Sequence, residues 1–128
     1  MKLFAFIAVV LGLGLSAGRS HAQTGIELQH ECQAVIAAAP NANDAMEGAH
    51  CLGYISGVAF SISMWEGVNK AKSLGTDTVP ACLPDNGTNE EYVKVVLRYL
   101  DQNPNKLHEG YGLLVFFALR NAYPCPAK

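Results

Sequence analysis

Four cysteines and a few histidines are the residues best suited to chemistry here, and their spacing removes most of the options. Cys32, Cys51, Cys82 and Cys125 form no C-x-x-C pair of the thioredoxin type and no haem-attachment pattern. They lie too far apart along the chain for the close ligand spacing of a small zinc site. His50, beside Cys51, makes no metal site alone and reads as a surface residue at a helix start. A Cys–His nucleophilic site needs a free thiol. An even cysteine count in a small exported domain instead implies disulfides.

The other candidates are single matches with structural explanations. Ser56, Ser61 and Ser63 sit in no G-x-S-x-G elbow. Glu27 and Glu31, four residues apart, suit a solvated helix face, and Glu90-Glu91 suits a helix start. Gly53 and Gly57 fall inside a helical pattern, where they would admit a neighbouring helix rather than a phosphate. Asn86-Gly87-Thr88 matches a glycosylation acceptor but reads as a turn plus an N-cap. No catalytic residue, metal ligand or cofactor site is assigned. The chemistry expected is recognition of a partner, not catalysis.

The elements that must position these residues begin after an address. Lys2 precedes the uncharged apolar run Leu3–Leu15, and Ser20-His21-Ala22 follows. This is the pattern of a secretory signal peptide, residues 1–22, cut after Ala22. The run is shorter than the roughly 20 apolar residues of a spanning helix. Gln23, not Cys, would follow the cut, which argues against a lipid-anchored end. Residues 23–128 then form a single domain, expected to be periplasmic and free of the membrane. Losing Lys2 and Arg19 makes the formal charge of −2 still more negative. With no Lys/Arg cluster, a nucleic-acid partner is excluded.

Periodicity predicts an all-α domain, a compact bundle of about four helices. Leu28, Cys32, Val35 and Ile36 share one face of a helix running roughly from Gly25 to Ala38. Pro40 and Asn41/Asn43 turn the chain. Asp44-Ala-Met-Glu47 reads as a capping box opening a second helix, with Cys51, Ile55, Val58, Ile62 and Trp65 inward. That helix should fade before Gly75. Ser73–Gly87 has loop composition. Thr88-Asn-Glu-Glu91 is a second capping box, and Val93, Val96, Leu97 and Leu100 form the next face, flanked by Tyr92 and Tyr99. Asn103-Pro104 makes a turn into a fourth helix, Asn105 to Ala122. Its run Leu113–Leu119 has no polar residue, more apolar surface than one side of a bundle needs, so a homodimer is expected.

The turns also select the disulfide pairing. Residues equidistant from the turn of an antiparallel hairpin face each other. The midpoint of Cys32 and Cys51 falls inside Pro40–Asn43. That of Cys82 and Cys125 falls between Asn103 and Pro104. The competing pair Cys51–Cys82 centres near Glu66, where no turn is signalled. Cys32–Cys51 and Cys82–Cys125 would therefore staple two helical hairpins.

Cys51-Leu-Gly-Tyr54-Ile-Ser-Gly57-Val58, Cys82-Leu-Pro84, Tyr99-Leu, Asn103-Pro104 and Ala118-Leu through Tyr123-Pro-Cys125-Pro, in that order, resemble the Rap/Tai class of immunity proteins. The resemblance covers nearly all of residues 23–128. It implies a small all-helical periplasmic protein, often dimeric. It also implies a partner: a peptidoglycan amidase toxin delivered by type VI secretion, inhibited by occlusion of its active-site cleft. Two loops of this chain are candidates for that contact. Ser73–Gly87 carries Asp77, Asp85 and Asn86, and the Asn103–Lys106 turn carries Asn103 and Lys106. A small periplasmic helical chaperone is the alternative, though two staples would resist the opening that such a protein needs.

Overall fold

The computed structural model describes residues 23–38, 41–74 and 79–126. The expected signal peptide and its cut, Pro40 and Asp77 lie outside the described residues. Among the described residues four α-helices follow in order: α1 (Gly25–Ile36), α2 (Ala42–Ala71), α3 (Asn89–Gln102) and α4 (Tyr111–Ala122). A single 3-10 turn, Pro104–Lys106, links the last two. Among the described residues no β-strand forms; one isolated bridge joins Thr24 to Gly110.

Local chemistry explains the helix starts. α1 opens at Thr24, whose amide donates to Glu27 Oε2 at 2.8 Å. The box expected at Asp44–Glu47 is instead Asn41–Asp44, three residues earlier. Asn41 Oδ1 accepts from the amides of Asn43 (2.9 Å) and Asp44 (3.1 Å), and Asp44 Oδ2 accepts from the Asn41 amide (2.9 Å). Asn caps as well as Asp does, and Asp serves at N3 in place of Glu. α3 opens at the expected Thr88–Glu91 box, with the Thr88 amide donating to Glu91 Oε2 at 2.8 Å.

The fourth helix starts later than its sequence pattern suggests. Asn103-Pro104 opens the 3-10 turn, and α4 begins only at Tyr111. The cause is the start of α1, whose first amides have no partner within their own helix. Gly25 N donates to Glu109 O (3.0 Å) and Ile26 N to Leu107 O (3.2 Å). Tyr111 N in turn donates to Gln23 O (3.1 Å). Backbone groups between Leu107 and Tyr111 thus satisfy α1 rather than continue a helix.

Both disulfides join the expected partners, Cys32–Cys51 and Cys82–Cys125, each closing one hairpin away from its turn. The core between the hairpins holds Leu28, Ile55, Val93, Val96, Leu100, Leu114 and Leu119. Tyr92 and Tyr99 are buried in it rather than flanking it.

Three expectations about faces need correction. Ile36 is half exposed, because α1 ends there, at the edge of the core. Trp65 is also exposed and Val58 only partly buried; Ala59 and Asn69 take the inward positions. And no helix packs on Gly53 or Gly57: a Cβ at either would meet no atom within 4 Å. α2 is the longest helix, and α3 and α4 cover only part of its circumference.

Candidate functional site

Two histidines, His30 and His50, link α1 to α2. His50 lies well inside α2, not at its start, and Nδ1 is 2.6 Å from Glu31 Oε2, while Nε2 is 3.2 Å from Gln23 Nε2. His30 Nδ1 lies 3.1 Å from Glu47 Oε2. Both contacts tie α1 to α2 beside the Cys32–Cys51 bridge. Glu31 is therefore a largely covered partner of His50, not a purely solvated residue. Sequence reasoning missed this pair, although the bridge is its signal: fixing Cys32 opposite Cys51 also brings Glu31 opposite His50. In nucleophilic catalysis such a pair acts on a nucleophile beside it. The aromatic neighbour here is Tyr111, whose ring centroid is 6.2 Å from that of His50. Burial, then Glu31, pushes the Tyr111 phenol far above its ordinary pKa, so it stays protonated. All four cysteines are bonded. Among the described residues, no three or more His, Cys, Asp or Glu are grouped to hold a metal ion.

Two surface grooves flank α2. One, of about 750 Å³, is apolar and lined by Gly57, Val58, Ile62 and Trp65 of α2 with Pro80 and Phe116. The other, of about 450 Å³, is polar. Ser63, Glu66 and Lys70 of α2 face Pro84, Asp85 and Tyr92 across it.

The structure separates the candidate contact residues into two groups. Asp85 and Asn86 sit together, exposed, on the turn before α3. That turn is held from both sides. Cys82 is bridged to Cys125, and its amide donates to Tyr123 O at 2.9 Å. Gly87 N donates to Pro84 O at 3.0 Å, and Thr88 then caps α3. Gly87 lies so close under the Tyr92 phenol that a Cβ there would overlap it. Thr88 thus acts as cap, as its sequence position suggests.

Asn103 and Lys106 lie at the other end of α3, about 20 Å away at 1.5 Å per residue. Their side chains are engaged internally. Asn103 Nδ2 donates to Tyr99 O at 2.8 Å, closing the end of α3. Lys106 Nζ donates to the Tyr99 hydroxyl at 3.1 Å and lies over the Tyr99 and Phe117 rings. That hydrogen bond raises the Lys106 pKa.

The apolar surplus expected on α4 is also redistributed. Leu114, Val115, Ala118 and Leu119 are buried and Leu113 is exposed, whereas α2 exposes Phe60, Met64, Trp65 and Val68. Among the described residues no helix is long and apolar enough to cross a membrane. Comparison with curated proteins and with solved structures returns no match. A family model described as Rap1a immunity proteins matches residues 24–125.

Proposed function

The chain belongs to the Rap1a immunity protein family, and from that premise we propose that it is exported to the periplasm, after cleavage behind Ala22, as residues 23–128. There it binds and inhibits a peptidoglycan amidase delivered by type VI secretion. It acts by binding, not by catalysis, and blocks the amidase cleft with a surface element.

The observation that supports this reading best is the Asp85–Asn86 turn. It projects an acidic residue and an amide while both of its ends are fixed, by a disulfide and by a capped helix. A loop ordered before binding loses little conformational entropy on binding. An acidic turn also attracts a basic rim and speeds encounter with it. The Asn103–Lys106 turn is the lesser element, since both of those side chains already bond to Tyr99. Self-association belongs to the same reading, because Leu113 and the outer side of α2 stay uncovered in one copy.

Titration calorimetry of the amidase with wild type, Asp85→Arg and Asn103→Lys tests the contact. Asp85→Arg should weaken binding at least about tenfold with an unchanged melting temperature. Full affinity in both variants would move the contact away from these turns.

A further inference from the structure

We infer that the mature chain closes its own first residue: His50, oriented by Glu31, carries the proton as Gln23 cyclises to a pyroglutamyl lactam and releases ammonia. The inference rests on the cleavage behind Ala22 proposed above, which makes Gln23 the first residue, and goes beyond it by assigning chemistry to that residue.

Three side chains form a line at this end of the bundle. Glu31 Oε2 lies 2.6 Å from His50 Nδ1, and His50 Nε2 lies 3.2 Å from Gln23 Nε2. The carboxylate keeps the hydrogen on Nδ1, so Nε2 presents its lone pair to the Gln23 amide. Gln23 is also held through its main chain. Its carbonyl accepts from Tyr111 N at 3.1 Å, and the next amide, that of Thr24, donates to Glu27 Oε2 at 2.8 Å. The residue that cleavage would expose is thus fixed beside a carboxylate–imidazole pair that the Asp85–Asn86 turn does not use.

The reaction needs no other reagent. The α-amine of Gln23, in its neutral form, attacks its own Cδ, and the new N–C bond closes a five-membered ring. The attack is intramolecular, so no entropy of encounter is lost. In the adduct the attacking nitrogen and Nε2 are bonded to the same carbon, so a base that touches one is within reach of the other. His50 Nε2 takes the proton that the attacking nitrogen loses and delivers it to the Gln23 Nε2. The Cδ–Nε2 bond then breaks, ammonia leaves, and His50 returns to its starting form. Such transfer by a positioned imidazole is general acid–base catalysis. Gln23 is exposed, so the ammonia passes to solvent. Each chain reacts once. The product lacks the α-amine, its positive charge and the group an aminopeptidase must grip.

Oxidised residues 23–128, released from an amino-terminal fusion by a protease that leaves Gln23 first, are followed by intact mass. Folded wild type should lose the mass of one ammonia at least about tenfold faster than His50→Ala, and faster by a similar factor than wild type unfolded in guanidinium. His30→Ala breaks the other histidine contact between α1 and α2 and should match wild type. Glu31→Gln keeps an acceptor for Nδ1 and should retain most of the rate, whereas Glu31→Ala should lose it. Added imidazole should restore part of the His50→Ala rate. Equal rates in folded wild type, His50→Ala and unfolded wild type would overturn the inference and leave the cleavage standing. Peptide mapping of the exported protein checks the premise: a mature chain that starts at another residue would overturn the cleavage and the inference with it.

Discussion

Gly25 sits against Leu114 so closely that a Cβ in place of its hydrogen would stand 2.5 Å from Leu114 Cδ1. The same atom would lie 2.9 Å from the Leu107 backbone, which cannot rotate away. This contact is where the first turn of α1 locks onto the segment before α4. Gly25→Ala should therefore destabilise the protein by about 1–3 kcal/mol, the usual cost of overpacking. Urea unfolding should show a lower midpoint with an unchanged slope.

Glu91 gives α3 an acid-sensitive start. Hydrogen bonds from the Thr88 amide and then the Thr88 hydroxyl hold its pKa below the ordinary 4.5. A depressed folded-state pKa means the stabilisation is present above 4.5 and is lost as pH falls through the folded value. Glu91→Gln should lower the neutral plateau of melting temperature and leave the acid end nearly unchanged, which flattens the acid limb.

The alkaline limb belongs to tyrosines. Burial raises the phenols of Tyr92, Tyr111 and Tyr123 above the ordinary 10.0. The unfolded chain loses these protons first, so stability is full below pH 10.0 and declines as pH rises beyond it. In an ultraviolet absorbance titration, these three should ionise only as the helices melt, in step with the loss of circular dichroism.

The Cys32–Cys51 bridge closes a short hairpin whose α1–α2 contacts include His50–Glu31 and His30–Glu47. Replacing both cysteines by alanine should lower stability by about 2–4 kcal/mol. Both His–Glu contacts lie at the surface end of the helix pair, where such contacts contribute little, and cannot replace the bridge. Chemical denaturation of the double variant against wild type measures the difference.

Much of this architecture is legible in the sequence because its signals are local. Thr88 and Glu91 announce α3, and the turn positions select the pairs Cys32–Cys51 and Cys82–Cys125. What stays hidden depends on contacts between distant segments. Leu107 and Glu109 leave the helix because their carbonyls receive the amides of Ile26 and Gly25, a pairing no periodicity reveals. Trp65 continues an apolar pattern along α2, yet it lies beyond the cover that α3 and α4 provide. The site is less legible than the fold. Asp85 and Asn103 look alike as loop residues, and only the structure distinguishes the projecting turn from the one tied to Tyr99.

The central claim is inhibition, and the most direct measurement is peptidoglycan hydrolysis by the type VI amidase effectors of the same cell. The purified, oxidised protein is titrated into each reaction. The account predicts that hydrolysis by one effector stops at equimolar inhibitor, and that the Asp85→Arg protein needs a clear excess for the same effect. Undiminished hydrolysis by every effector, with inhibitor in large excess, would contradict it.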